Sequence, residues 1–135
     1  MPTFQRCRRE IQTLHEFFVQ WYTGSIDRDV FDRLEYTLAP EFEMISPTGD
    51  RNDRTTVLAT IRDSYGEKAS GTFDIEIRNV EIIRQFDECS LVRYEEWQYE
   101  DGDENARIST VLLRADDEAP SGVVWLDLQE TAFDG

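Results

Sequence analysis

A chain of 135 residues is the length of one ordinary domain and can bury a core without disulfide or metal staples. Its 29 Asp and Glu against 14 Lys and Arg give a formal net charge of -15, so it offers no basic stripe for a phosphate backbone and no nucleic-acid partner is expected. No apolar run reaches membrane-spanning length and the N-terminus lacks the order of a signal peptide, which predicts a cytoplasmic single domain over residues 1–135 with no membrane partner.

Lys68 is the sole lysine, and the other basic residues are arginines. Carboxylate-rich, lysine-poor surfaces are typical of halophile proteins, in which molar salt shrinks the Debye length to about 3 Å and relieves self-repulsion. The composition therefore predicts a salt-requiring, halophilic protein. Cys7 and Cys89 fit no metal-ligand spacing and read as small buried hydrophobes, and with His15 the only histidine neither a metal site nor a cofactor is expected. Arg6, Arg8 and Arg9 read as a helix end facing solvent.

Taken in chain order, Phe4, Cys7, Ile11, Leu14, Phe18, Trp21 and Tyr22 recur at three- and four-residue steps, which predicts one helix from Phe4 to Tyr22, stopped by Gly24. A shorter helix follows from about Asp29, with Val30, Phe31, Leu34 and Leu38 inward and Pro40 closing it. Phe42 to Ser46 reads as a brief strand ended by the turn Pro47-Thr48-Gly49-Asp50. Asp53 is placed to cap a third helix carrying Val57, Leu58, Ile61 and Tyr65. Beyond Gly71 the period changes to two. Strands are predicted from Phe73 to Ile83 with an irregularity near Asn79, from Cys89 to Glu100, from Ala106 to Ala115, and from Val123 to about Phe133. About three helices followed mainly by hairpins give an α+β domain with helices on one face of an antiparallel sheet of five or so strands.

With these elements in place, the chain resembles the nuclear-transport-factor-like superfamily, which includes ketosteroid isomerases and SnoaL-type polyketide cyclases. The residues that carry the resemblance are Trp21-Tyr22-Thr23-Gly24, the segment from Phe42 to Gly49, Tyr94-Glu95-Glu96-Trp97-Gln98, and the terminal stretch from Trp125 to Thr131. It implies a cone-shaped curved sheet wrapped around the first helix, a pocket at the open end, and a homodimer packed through the outer sheet face. It transfers no catalytic residue. Ser46 stands before Pro47 where the isomerases carry an aspartate base, and Val111 falls near the position of their acidic oxyanion donor.

Strand parity groups Tyr94, Glu96, Gln98, Arg107, Ser109, Val111, Trp125, Asp127 and Gln129 on one side, and Leu91, Arg93, Trp97, Ile108, Thr110, Leu112, Leu126 and Leu128 on the other. By the ordinary inside-outside rule the second set packs on the helices. By the resemblance the polar set lines the cone, and Leu112, Leu126, Leu128 and Trp97 form an outer patch buried by dimerisation. On the latter reading Glu96 and Asp127 are candidate catalytic carboxylates whose pKa values are pushed apart, one becoming donor and the other acceptor. Arg107 could instead hold one of them ionised. Tyr94 is the candidate hydrogen-bond donor to a substrate oxygen, Gln98 and Gln129 orient it, and Ser109, Tyr22 and Trp125 complete the ligand-binding set. His15 is a further catalytic candidate facing the pocket mouth. The expected function is a small-molecule pocket protein, with or without metal-independent proton-transfer, cyclase, lyase or hydrolase chemistry. The alternative is a dimeric protein-interaction module without catalysis.

Overall fold

A computed structural model describes residues 2–133. Helix α1 (Phe4–Thr23) begins where the Thr3 hydroxyl accepts the Arg6 N–H and ends at Gly24, whose φ of 70° is the left-handed conformation that glycine adopts without strain. A Cβ at Gly24 would stand 3.3 Å from the Gly66 Cα, so the chain crosses there only because both residues are small. A 3-10 turn, Arg28–Phe31, leads into the short helix α2 (Asp32–Thr37). Leu38 and Pro40, expected to finish that helix, instead open strand β1 (Leu38–Ile45). Pro40 is tolerated because the pairing of β1 is interrupted between Leu38 and Glu43, where no ladder bond needs its missing N–H.

The turn at Gly49 leads into a three-residue strand, β2 (Arg51–Asp53), which the sequence pattern did not reveal because it is too short to show alternation. Asp53 accepts the Thr56 N–H at 2.9 Å and caps α3 (Arg54–Asp63), as its spacing implied. Then come β3 (Phe73–Phe86), β4 (Cys89–Glu100), β5 (Asp103–Ala115) and β6 (Val123–Phe133). Asn79 has a φ of 56° at a bulge between Arg78 and Glu81, the irregularity expected in that strand.

The strands form one six-stranded sheet in the order β2-β1-β6-β5-β4-β3. Because β1 runs parallel to β6, the sheet is mixed rather than wholly antiparallel. It curves without closing around the inner face of α1. Ile11, Leu14 and Phe17 pack there with Val92, Tyr94, Val111, Leu113 and Trp125 from the strands. Trp21 fixes α1 to α3 by donating its indole N–H to the Ile61 carbonyl at 2.7 Å. Among the described residues no helix is long and apolar enough to cross a membrane.

A bulge between β5 and β6 decides the site. Leu112 faces Asp127 across the β5–β6 ladder but Leu113 faces Trp125, so Leu126 is an extra residue and parity inverts after Trp125. Trp125, Leu128 and Glu130 are buried, whereas Asp127 and Gln129 are exposed. The expectation that Asp127 and Gln129 share the inner face with Trp125 is corrected by this one-residue insertion, because a register slip sends every later side chain to the opposite face.

The outer patch is corrected with it. Leu128 points inward, and Leu126 packs near Val124, Ala39 and Ala119. Trp97 does face outward, but it is covered within the chain by Phe133 edge-to-face and by the Arg78 guanidinium 4.2 Å above its ring. Leu112 remains, half-buried, with Leu91 across from it and Ile108 further along β5.

Candidate functional site

Between α1 and the concave sheet lies a cavity of about 320 Å³. Its walls are mainly apolar, supplied by Leu14 and Phe18 of α1, Leu34 of α2, Phe42 and Met44 of β1, and Ile61 of α3. One end is polar. There His15 and Tyr22 from α1 meet Tyr94, Glu96 and Gln98 from β4, Arg107 from β5, and Trp125 and Glu130 from β6. The structure thus brings together every inward candidate except Ser109, which is fully buried beside Tyr94 across the β4–β5 ladder but outside the cavity wall. Asp127 and Gln129 are absent from the cavity, and Glu130, which neither parity set named, occupies it.

His15 is placed by its own helix. Its Nδ1 lies 2.7 Å from the Ile11 carbonyl and must donate there, leaving Nε2 3.1 Å from Glu96 Oε1. A proton therefore lies between Nε2 and the carboxylate. Burial alone would lower the His15 pKa, but the Glu96 charge and hydrogen bond outweigh it and the net direction is upward. Burial would likewise raise Glu96, yet His15, Arg107 and Gln98 together pull it down to about 2. The Gln98 amide donates to Glu96 Oε2 at 2.6 Å, so both carboxylate oxygens are engaged. The pair is an imidazolium and a carboxylate.

Glu130 goes the other way. Burial and the neighbouring Glu96 charge raise its pKa to about 7, despite one hydrogen bond from Arg107 Nη1 at 3.2 Å. Arg107 cannot prevail because it also serves Glu96 electrostatically and meets Glu130 through a single nitrogen. Two carboxylates in one cavity, one held ionised and the other exchanging its proton near neutrality, form the kind of split pair that divides donor and acceptor roles.

The aromatic hydroxyls stay protonated. Burial, followed by Glu96, Glu67 and Glu130, raises Tyr22 to about 12, and Tyr94 is pushed further by burial and the same two cavity carboxylates, Glu96 and Glu130. The Tyr94 hydroxyl is buried without a hydrogen-bond partner in good geometry, as is that of Ser109. An unpaired buried hydroxyl costs about 1–3 kcal/mol, a cost that a ligand oxygen reaching Tyr94 would relieve. Ser46 and Asn52 add further polar atoms to the wall. Among the described residues no group of three or more His, Cys, Asp and Glu is arranged to hold a metal ion.

A family model, sucrose-6-phosphate phosphohydrolase C-terminal, matches residues 7–134, which includes every residue of the cavity. The chain belongs to this family. No curated protein matches it. Among solved structures it is similar to an NTF2-like protein of unknown function from Pseudomonas aeruginosa, at 29% identity and a TM-score of 0.86 over 96% of this chain and 99% of the other. It is also similar to the CaMKII hub of S. rosetta, at 11% identity and TM-score 0.67 over 93% and 95% of the two chains. ActVI-ORFA of Streptomyces coelicolor matches at 10% identity and TM-score 0.62, over 96% of each chain. The fold is NTF2-like, as the sequence resemblance implied.

Proposed function

We propose that this protein binds a compact, mostly apolar small molecule bearing one oxygen-containing end, and that Glu130 exchanges a proton with it. The observation that carries this reading is the meeting of two carboxylates in one cavity, Glu96 engaged on both oxygens by His15 and Gln98 and Glu130 by a single Arg107 nitrogen. In that arrangement Glu96 is pulled down to about 2 and Glu130 pushed up to about 7. Near neutral pH Glu130 is populated in both forms, which suits general acid or general base work. Glu96, neutralised by His15, keeps its charge and holds Glu130 at that balance. Tyr94 donates to the ligand oxygen, with Tyr22 at its side, and the apolar wall takes the remainder of the molecule. The chemistry this supports is metal-independent proton transfer of the kind that cyclases, lyases and isomerases share, and tight binding without turnover uses the same contacts.

A bicyclic phenol such as 2-naphthol tests the reading, because its fluorescence separates the neutral from the ionised form. Saturable binding is expected, with an affinity that changes around pH 7, and Glu130→Gln should abolish that change while leaving the protein folded. Binding that is absent, or whose pH profile is the same in Glu130→Gln, would overturn the proposal.

Self-association through the outer sheet face is also proposed, now on Leu91, Ile108 and Leu112, which lie half-buried on that face. Sedimentation of the wild type against Leu112→Glu tests it, and an identical monomer in both would remove it.

A further inference from the structure

A second recess, sharing no residue with the cavity, lies on the other side of α1's N-terminal half. Arg6, Arg9 and Thr13 follow one another at three- and four-residue steps and so share one stripe of that helix. Arg33 of α2 faces them, and Asp117, Ser121 and Gly122 of the β5–β6 connection close the recess, with Gly122 lying against the Arg6 guanidinium. A Cβ there would stand 3.5 Å from three Arg6 atoms, so the loop is shaped to the arginine.

The charge balance is what singles this place out. The chain carries 29 carboxylates, enough to pair every cation twice over, yet among the described residues none of these three arginines has a carboxylate oxygen within 4.0 Å. Glu10, buried on the same helix, accepts the Trp125 indole N–H at 2.8 Å and feels the Arg33 charge, but among the described residues no ion pair within 4.0 Å joins it to them. Asp117 is the single acid in the lining, against three arginines that border the same recess. Like charges held together in an otherwise acidic molecule cost free energy, and a planar fork of N–H donors is the side chain best matched to a tetrahedral oxyanion.

We propose that Arg6, Arg9 and Arg33 form a binding site for a dianionic phosphate group, with the Thr13 hydroxyl as a further donor. The ligand is either free phosphate or the terminal group of a small phosphate monoester. This site is independent of the proton-transfer cavity, and its failure would leave that reading untouched.

The test is calorimetric titration of the intact protein with inorganic phosphate and, separately, with glycerol phosphate, at an ionic strength held constant with chloride. That control is required because any salt screens a charge of -15 and stabilises the fold without binding. Saturable one-to-one binding is expected, weakened at least tenfold by Arg9→Gln and by Arg33→Gln and unchanged by Arg8→Gln, an exposed neighbour outside the recess. Tighter binding of the ester identifies the monoester as the ligand, and equal binding identifies the phosphate group alone. Heats that do not saturate, or that persist in Arg9→Gln and Arg33→Gln proteins with unchanged circular dichroism, would overturn the proposal.

Discussion

Arg107 Nη1 donates to Glu130 Oε1 at 3.2 Å, and still Glu130 keeps its proton to about pH 7. An arginine beside a carboxylate normally lowers its pKa, and here that effect is outweighed by burial and by the second carboxylate, Glu96. Near neutral pH Glu130 therefore titrates in the cavity while Glu96 stays ionised and Tyr22 stays protonated.

Stability should follow from that shift with a definite sign. Glu130 ionises at an ordinary 4.5 in the unfolded chain and at about 7 when folded, so between those values the folded state holds the extra proton and stability falls as pH rises. Glu130→Gln removes the effect and keeps an oxygen for Arg107. It is expected to raise thermal stability at pH 8, to leave it unchanged near pH 4, and to flatten the decline between, all measurable in melting curves across pH. The 13C carboxyl resonance of Glu130 should titrate near 7, and a midpoint near 4.5 would contradict the whole electrostatic account.

The His15–Glu96 pair acts in the opposite sense on either side of its window. His15 has a raised folded pKa, so its contribution is complete below 6.5 and is lost as pH rises through the folded value. Glu96 has a lowered one, so its contribution is complete above 4.5 and fades as pH falls toward 2. Replacing His15 with Asn strands a buried charge and should cost about 3–5 kcal/mol at pH 6 in denaturant unfolding. Adding Glu96→Gln should restore a substantial part, and simple additivity of the two losses would refute a direct pair.

Tyr94→Phe removes a buried hydroxyl that has no good hydrogen bond. Stability is expected to stay level or rise by about 1 kcal/mol, while ligand affinity falls by a comparable or larger amount. A stability loss above 1 kcal/mol without any ligand would show that the hydroxyl already has a partner.

Asp127 sits directly across from Glu43 on the parallel β1–β6 ladder, and burial together with that neighbour raises its pKa. Like charges facing each other across strands are destabilising, and screening relieves them. Asp127→Asn should therefore stabilise the protein in low salt and lose most of that benefit in molar KCl. The wild type should itself melt at a higher temperature in molar KCl than in dilute buffer, and equal melting in both would dispose of the salt requirement read from composition.

Periodicity alone determined most of the architecture. The apolar stripe from Cys7 to Trp21, the cap at Asp53, the bulge near Asn79 and the four long strands of the second half all express local preferences of helix, turn and pleat, which short segments carry within themselves. Parity also grouped Tyr94, Glu96, Gln98 and Arg107 on one side of the sheet, since it is fixed by the chain within an unbroken strand, but it was the family resemblance that turned that side and His15 toward the pocket. What escaped the local pattern required a partner strand. The β1–β6 parallel pairing joins segments some eighty residues apart, β2 exists only as an addition to β1, and the extra residue at Leu126 becomes visible only when Leu112 and Leu113 are matched against β6. A hint stood in the sequence, because Leu128 lies between Asp127 and Gln129 and so favours the inside, while Trp125 favours the same side at the wrong parity. Only the tertiary structure resolved that conflict by inserting a bulge, exchanging Asp127 for Glu130 in the cavity and with it the residue that titrates there, because burial and neighbouring charge are properties of the folded whole.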